Sequence, residues 1–509
     1  MLKLTKRFWR VAVGAILLLC GSATYQPKAQ TAGDPRGWID AGLAAMGGEA
    51  KLRAIRTIHL EGIGYKHALE QSERPEGPWI VQYQTLNEFR DPNHNQLRRS
   101  QTNQIADYKF TQTTILSDGA VATAFNEGKL TPGKPGAEEW LALAPERVLL
   151  TAKDAGNSRS EPDRALQGVR HHRFVFLWRG IPVHVYLNSE TNLLTCVELT
   201  RPYLYDYFEV WGDVTTRVFY SFWSLKPGGL HYPVQWDVQQ NDLVQSSLFL
   251  SKVEFDASLP SGAFEIPEAV KAAYLENAKK TDKDLKLGRP DQPIAEVAAG
   301  IFQIPGSFNT NIIKQEDGLV ILETPVSSAY STKVIEEAQR CFPGAPIKAA
   351  ITTSDAWPHI GGAREYVARG IPIYVLDLNV PIIDRLLSAP RHSAPDGLAL
   401  KPRKPILRKV SNKTVLGSGP NRIELYPIRT ETGERMMMAY FPEHHLLYAS
   451  DLAQPFDNGT WIPQYLFELN AAVKREQLTV DRAFAMHLRP FAWSDLLAVI
   501  MRTVENNPK

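Results

Sequence analysis

"TTSDAWPHIGG", Thr352–Gly362, lies directly behind the apolar run "IKAAI" (Ile347–Ile351) and ahead of "AREYVARG". The run reads as a buried strand, Gly361-Gly362 as a turn, and the residues after it as a helix. A short loop at a strand end can aim several side chains at one point, and this is where a metal site belongs. Only one residue of the loop, His359, is a strong metal ligand, with Asp355 as a nearby carboxylate. The stretch is therefore either a ligand loop that has lost members or an ordinary turn that carries a histidine.

Working outward, the residues from about 297 to 377 alternate sheet and helix. Two or three strands lead to a turn at Asp317-Gly318, followed by a strand, a helix, a strand, the loop, a helix and a strand. Four anchors stand out: "NTNIIKQEDGLVILET" (309–324), "PHIGG" (358–362), "MMMAYFPEHHLLYASDL" (436–452) and "MHLRPFAWSDLLAVI" (486–500). In order and wording these resemble the metallo-β-lactamase superfamily over about 297–509. The resemblance implies an αββα sandwich, two sheets between helices. The family's turn reads T-H-x-H-x-D-H-x-G-G and commonly holds two zinc ions. Against it, Ser354 and Ala356 stand where the first two histidines belong, Pro358 where the aspartate belongs, and His359 keeps the last histidine.

The family's next histidine falls near Thr432, and "YPIRTETGERMMM" contains none. The bridging aspartate is present as Asp451, and the final histidine, ahead of the last helix, as His487. The resemblance thus implies that the three-histidine site is gone, whereas the other keeps His359, Asp451 and His487. Two imidazoles and a carboxylate suffice for one divalent ion with positions left for water; Zn2+ is expected first, with Fe and Mn as alternatives. Asp355 is a candidate fourth ligand and, with Asp451, a candidate catalytic residue; Ser354 and Asp355 could equally be turn residues. A fold that has lost its metal altogether is the competing reading.

The amino-terminal half has a different texture. "GWIDAGLAAMGGEAKLRAIRTI" has helical spacing interrupted at Gly47-Gly48, and runs such as "TIHLEGIGYKH", "HHRFVFLWRGIPVHVYL" and "TTRVFYSFWSL" then continue to about residue 265. They are rich in β-branched and aromatic residues and predict one long antiparallel sheet. Such a sheet must curl or pack on a helix to cover its apolar side. "AAMGGEAKLRAIRTIHLEG" followed by many strands resembles the outer-membrane lipoprotein carrier and lipoprotein-sorting proteins over 35–268, which implies a half-barrel around a helix. Trp178, Tyr203, Tyr205, Tyr207, Trp211, Phe219, Tyr220, Phe222 and Trp223 either line a cavity for an apolar ligand or pack as core. His171 and His172 are neighbours on a strand, so their rings face opposite ways and do not share a metal.

At 509 residues the chain calls for more than one domain: 33–270 β-rich, 271–296 a linker entered by a helix, and 297–509 sandwich-like, an α+β multidomain protein. A net charge of +2 gives no electrostatic reason for nucleic acid as a partner. Lys3, Lys6, Arg7 and Arg10 precede the apolar run Val11–Leu19 and the small residues Gly21, Ser22 and Ala23, the order of a signal peptide over 1–23. A retained anchor, or a lipid on Cys20, is the alternative; the run is short for a span, and Leu19 is bulky for lipidation. Export to the periplasm or outside is expected, with no transmembrane segment after cleavage. Cys196 and Cys341 fall in different halves and are not expected to pair. The leading function is a hydrolase with an incomplete, at most single-metal site, acting on a small-molecule or lipid-like substrate. The alternatives are a non-catalytic envelope protein that binds a lipid or other apolar ligand, and lipoprotein transport.

Overall fold

Along Val81–Asp91 the side chains of Gln84, Leu86, Glu88 and Arg90 are buried, while Val81, Tyr83, Thr85 and Asn87 between them are exposed. That two-residue period makes one side of a strand the wall of a core. In the computed structural model, thirteen such strands among the described residues form a single antiparallel sheet. The described residues are 33–69, 79–105, 108–126, 128–203, 210–281, 284, 286–289, 291–454 and 463–505. The signal-like stretch with Cys20, and Tyr205 and Tyr207, lie outside them.

Ile58–His67 sits between Val81–Asp91 and Leu243–Phe255, and the outermost strands, Thr131–Pro132 and Arg159–Leu166, do not pair with each other. The apolar side is covered by Pro35–Ala45 and Val148–Ala155: Ile39, Leu43, Leu149 and Leu150 share a core with Phe174, Val185, Leu187 and Tyr232. Asp34 caps the first of these helices by accepting from Arg36 N. The helix stops at Gly47, whose φ of 114° is open to glycine. Val148–Ala155 and a further helix, Ala137–Ala142, interrupt the strands and were not apparent from the sequence. The charged stretch expected to enter the linker as a helix does so: in Glu268–Asn277, Tyr274 packs with Leu97, Leu116 and Val121 of the sheet.

In the second half, seven strands run in the order Ala295–Ala298, Ile301–Ile304, Thr310–Gln315, Gly318–Leu322, Ile347–Thr352, Ile373–Leu376, Leu407–Val410. Pairing is antiparallel up to Gly318–Leu322 and parallel beyond it. A six-stranded sheet from Thr414–Leu416 to Phe491–Ala492 faces it. Ile313, Val320, Leu322 and Ile351 meet Leu425, Met437, Phe441 and Tyr448 in the core between the two. Ser328–Cys341, Ala363–Ala368 and Val380–Ser388 cover the outer side of the first sheet, and Pro463–Arg475 and Trp493–Glu505 that of the second. The layers are therefore helix, sheet, sheet, helix. Being buried on both faces explains why Gly318–Leu322 and Met437–Phe441 are continuous apolar runs without alternation.

The two halves are less separate than the sequence suggests. Val210, Trp211 and Val214 belong to the core under the helices of the second half. Asp213 N donates to Pro390 O at 2.7 Å, and the Asp213 carboxylate accepts from His392 N at 2.6 Å. Cys196 and Cys341 are both free. His171 and His172 diverge as expected: His171 bonds Val169 O and Thr195 Oγ1, while His172 stacks on Trp38. No helix of the described residues is long and apolar enough to cross a membrane.

Candidate metal centre

The loop quoted at the outset leaves the strand Ile347–Thr352 and closes over the gap between the two inner sheets. Met437 N, on the second sheet, donates to Thr353 O at 2.9 Å, and Thr353 Oγ1 bonds Ser450 Oγ at 2.7 Å. The chain then coils into the short helix Trp357–Ile360, which carries His359, almost fully buried. Gly361 and Gly362 owe their identity to close approach and not to left-handed backbone. A Cβ on Gly361 would lie 2.3 Å from Val326 O, and one on Gly362 would lie 2.0 Å from Ser331 Oγ and 2.8 Å from Ser327 O. Gly361→Ala is therefore expected to cost about 1–3 kcal/mol in urea unfolding. Gly37→Ala, exposed in a helix with nothing within 4 Å, should be neutral or stabilising by comparison.

Asp451 comes from the turn after Leu446–Tyr448, and His487 from the turn between Arg482–Phe484 and Phe491–Ala492. Met486 N donates to Ser450 O at 3.0 Å and Asn309 N to Met486 O at 2.8 Å, tying these turns to each other and to the first sheet. One ligand atom from each of His359, Asp451 and His487 lies within 4.8 Å of the others. His359 Nε2 is 3.6 Å from Asp451 Oδ2, and His487 Nε2 is 3.1 Å from Asp451 Oδ1. Phe308 stands edge-on to both rings, 5.3 Å from each. Gln454 Nε2 donates to Asp451 Oδ1 and fixes the carboxylate plane.

The placement of protons shows what this geometry lacks. His487 Nδ1 is 2.8 Å from Ser307 O, a carbonyl that can only accept, so Nδ1 carries the hydrogen. In a neutral ring Nε2 then directs a lone pair at a carboxylate, an arrangement that requires either an extra proton or a cation between them. His359 Nδ1 is buried without a hydrogen-bond partner. Burial pushes the His359 imidazole down to about 4, despite the opposing pull of Asp451, so the ring is neutral at pH 7. Burial disfavours charge at Asp451 as well, but His359, His487 and Gln454 hold its carboxyl below the usual range. His487 is also desolvated, yet its bond to Asp451 raises it.

Three of the residues singled out in the sequence thus converge, and one does not. Asp355 is fully buried in the same loop but is not part of the three-atom group, so it does not complete the ligand set. Ser354, also fully buried, accepts from Ala356 N at 3.2 Å and serves the turn. The residue that sequence reasoning missed is Glu323, at the end of Gly318–Leu322, fully buried with φ 79°. Its carboxyl accepts from Thr353 Oγ1, and burial pushes it up to about 8 despite that bond, so it is protonated at neutral pH. An acid closing a five-residue apolar strand in "GLVILE" was the available signal.

No family model matches this chain, and no curated protein matches it. Solved structures similar to it include a double mutant of the sec-alkyl sulfatase PisA1 at 17% identity, with a TM-score of 0.31 over 41% of this chain; the chain spans only 40% of that protein's length. They also include the DIM-1 metallo-β-lactamase, at 14% identity and TM-score 0.33, covering 44% of this chain and 100% of that one. A metallo-β-lactamase from Pontibacter korlensis stands at 12% identity and TM-score 0.33, covering 44% of this chain and 100% of that one. Likenesses at this level add no weight of their own; the four layers and the three convergent side chains stand on the geometry.

Proposed function

We propose that the chain is an exported hydrolase of metallo-β-lactamase type, with a single-ion centre at His359, Asp451 and His487 acting on a small-molecule or lipid-like substrate. The observation that carries the reading is the convergence of one carboxylate and two imidazole nitrogens within reach of a common point. That donor set fits zinc, with iron or manganese as alternatives. When bound, such an ion supplies a water of lowered pKa and polarises the bond to be cleaved.

The protein's own contribution follows from the contacts above. His359 is kept neutral by burial, so its lone pair is available without a competing proton. Ser307 O holds the tautomer and ring plane of His487, the support that ligating histidines generally need. Asp451, whose carboxyl is held below the usual range and bonded by Gln454, would orient a water at the centre. Phe308 packs edge-on against both rings. Since the first of the family's two sites has no counterpart here, slow or narrow hydrolysis is expected.

Elemental analysis of the purified chain tests this. Stoichiometric zinc, iron or manganese is expected in the wild type and none in His359→Ala or His487→Ala. Adding metal at 100 times its Kd should stabilise the wild type by about 2.7 kcal/mol and leave both variants unchanged. Metal-free wild-type preparations whose unfolding does not respond to added metal would sink the proposal. The second reading, a binding protein for an apolar ligand held by a half-barrel-like wrapping of the first sheet, is favoured by a cavity in that sheet.

A further inference from the structure

On the inner side of the thirteen-stranded sheet lies a cavity of about 380 Å³, within the roughly 300–1,000 Å³ usual for small-molecule sites. Its walls are largely apolar, with Leu86, Leu143, Val218, Trp236 and Leu248 among them. Of the aromatic residues noted in the sequence, Tyr203 and Tyr220 line it, whereas Trp211 packs near Trp357 in the second half and Phe222 is exposed.

The charges in the lining do not cancel. Arg90 is held by Glu88 and Glu146, Arg99 by Glu88, and Arg201 by Glu139 at 2.8 Å. Three guanidiniums thus face three carboxylates. Lys66, near the end of Ile58–His67, also lines the cavity and has no carboxylate or hydrogen-bond partner for its ammonium among the described residues. It belongs to the inward-facing set of its strand, with Ile58 and Leu60. Among the described residues the site therefore carries one uncompensated positive charge against hydrocarbon walls. Burial lowers the Lys66 pKa, the mark of an ammonium that has lost water and gained nothing in exchange. Lys66 is half-buried, and a charge partly withdrawn from water and left unpaired carries a cost that is offset when a ligand brings the opposite charge.

We infer that this cavity binds an amphiphile: an aliphatic body ending in one anionic group, carboxylate or phosphate, with Lys66 as its counter-charge. The inference is independent of the metal centre, which lies in the other half of the chain.

Calorimetric titration of the full chain with dodecanoate, dodecyl phosphate and 1-dodecanol tests it. At least one of the two anions should bind ten-fold or more tightly than the alcohol, and whichever of them binds better identifies the headgroup. Lys66→Met should abolish that preference while leaving alcohol binding in place, and its thermal unfolding should be no lower than that of the wild type. His359→Ala should keep the preference, which separates this site from the hydrolytic reading. Alcohol binding as tight as both anions in the wild type would overturn the inference without recourse to any variant. So would an anion preference that survives Lys66→Met, or the lack of saturable binding by all three probes.

Discussion

Arg90→Met is expected to lower the stability of the chain by roughly 3–5 kcal/mol in urea unfolding at pH 7. Arg90 is among the largest side chains fully enclosed by the protein, 1% exposed, with Nε on Glu88 at 2.5 Å and Nη1 on Glu146 at 2.6 Å. Burial opposes its charge, but the two carboxylates hold the guanidinium firmly ionised. Methionine fills much of the volume, so the loss is electrostatic and not a cavity effect. Glu88 still has Arg99, whereas among the described residues Glu146 is left with only the Tyr232 hydroxyl at 2.9 Å. The deficit should therefore shrink when Glu146→Gln is added to the variant, because an amide tolerates the loss of its cation. An equal deficit in the single and double variants would place the effect in packing instead.

The second large effect concerns Glu323. Its folded pKa, about 8, is raised from the ordinary 4.5 by burial. A raised value means that the contribution to stability is fully present below about 4.5 and is lost as pH rises towards 8, since the unfolded chain ionises first. Every tenfold gain in proton affinity on folding is worth about 1.4 kcal/mol, so the loss is on the order of a few kcal/mol by pH 8. His359, depressed to about 4, acts in the opposite sense and weakens the fold as pH falls from 6.5. His487, raised by Asp451, also loses its contribution as pH climbs from 6.5, so the glutamate is read from the difference between wild type and Glu323→Gln over pH 6.5 to 8. In chelator-treated protein, Glu323→Gln should flatten the decline over that interval and be more stable than the wild type at pH 8. A wild type equally stable at pH 6.5 and 8 would show that the acid is already ionised.

Legibility in the sequence followed the range of the interactions. The alternation in "VQYQTLNEFRD" depends on which face of a strand is buried, so one antiparallel sheet could be expected from pattern, whereas the two-sheet sandwich was expected only through the family resemblance of the second half. His359, Asp451 and His487 were legible only through a pattern spread over the second half, because no local spacing connects them. Asp355 looked like a ligand since it is close in sequence, but it is not among the three side chains whose ligand atoms come together. The protonated state of Glu323 and the solitary charge of Lys66 were hidden for a different reason. Both depend on what is absent from the surroundings, and a sequence does not record the missing partners of a side chain.

Val210, Trp211 and Val214 reach out of the first sheet into the core that backs the His359 loop, where Val210 Cγ1 lies 3.0 Å from the position a Cβ on Gly361 would take. A fragment cut at residue 297 would open that seam, exposing the Trp357 ring and stranding the main-chain groups of Pro390 and His392 that Asp213 satisfies. Expressed alone, the carboxy-terminal piece should be sticky and less stable than the same residues within the full chain.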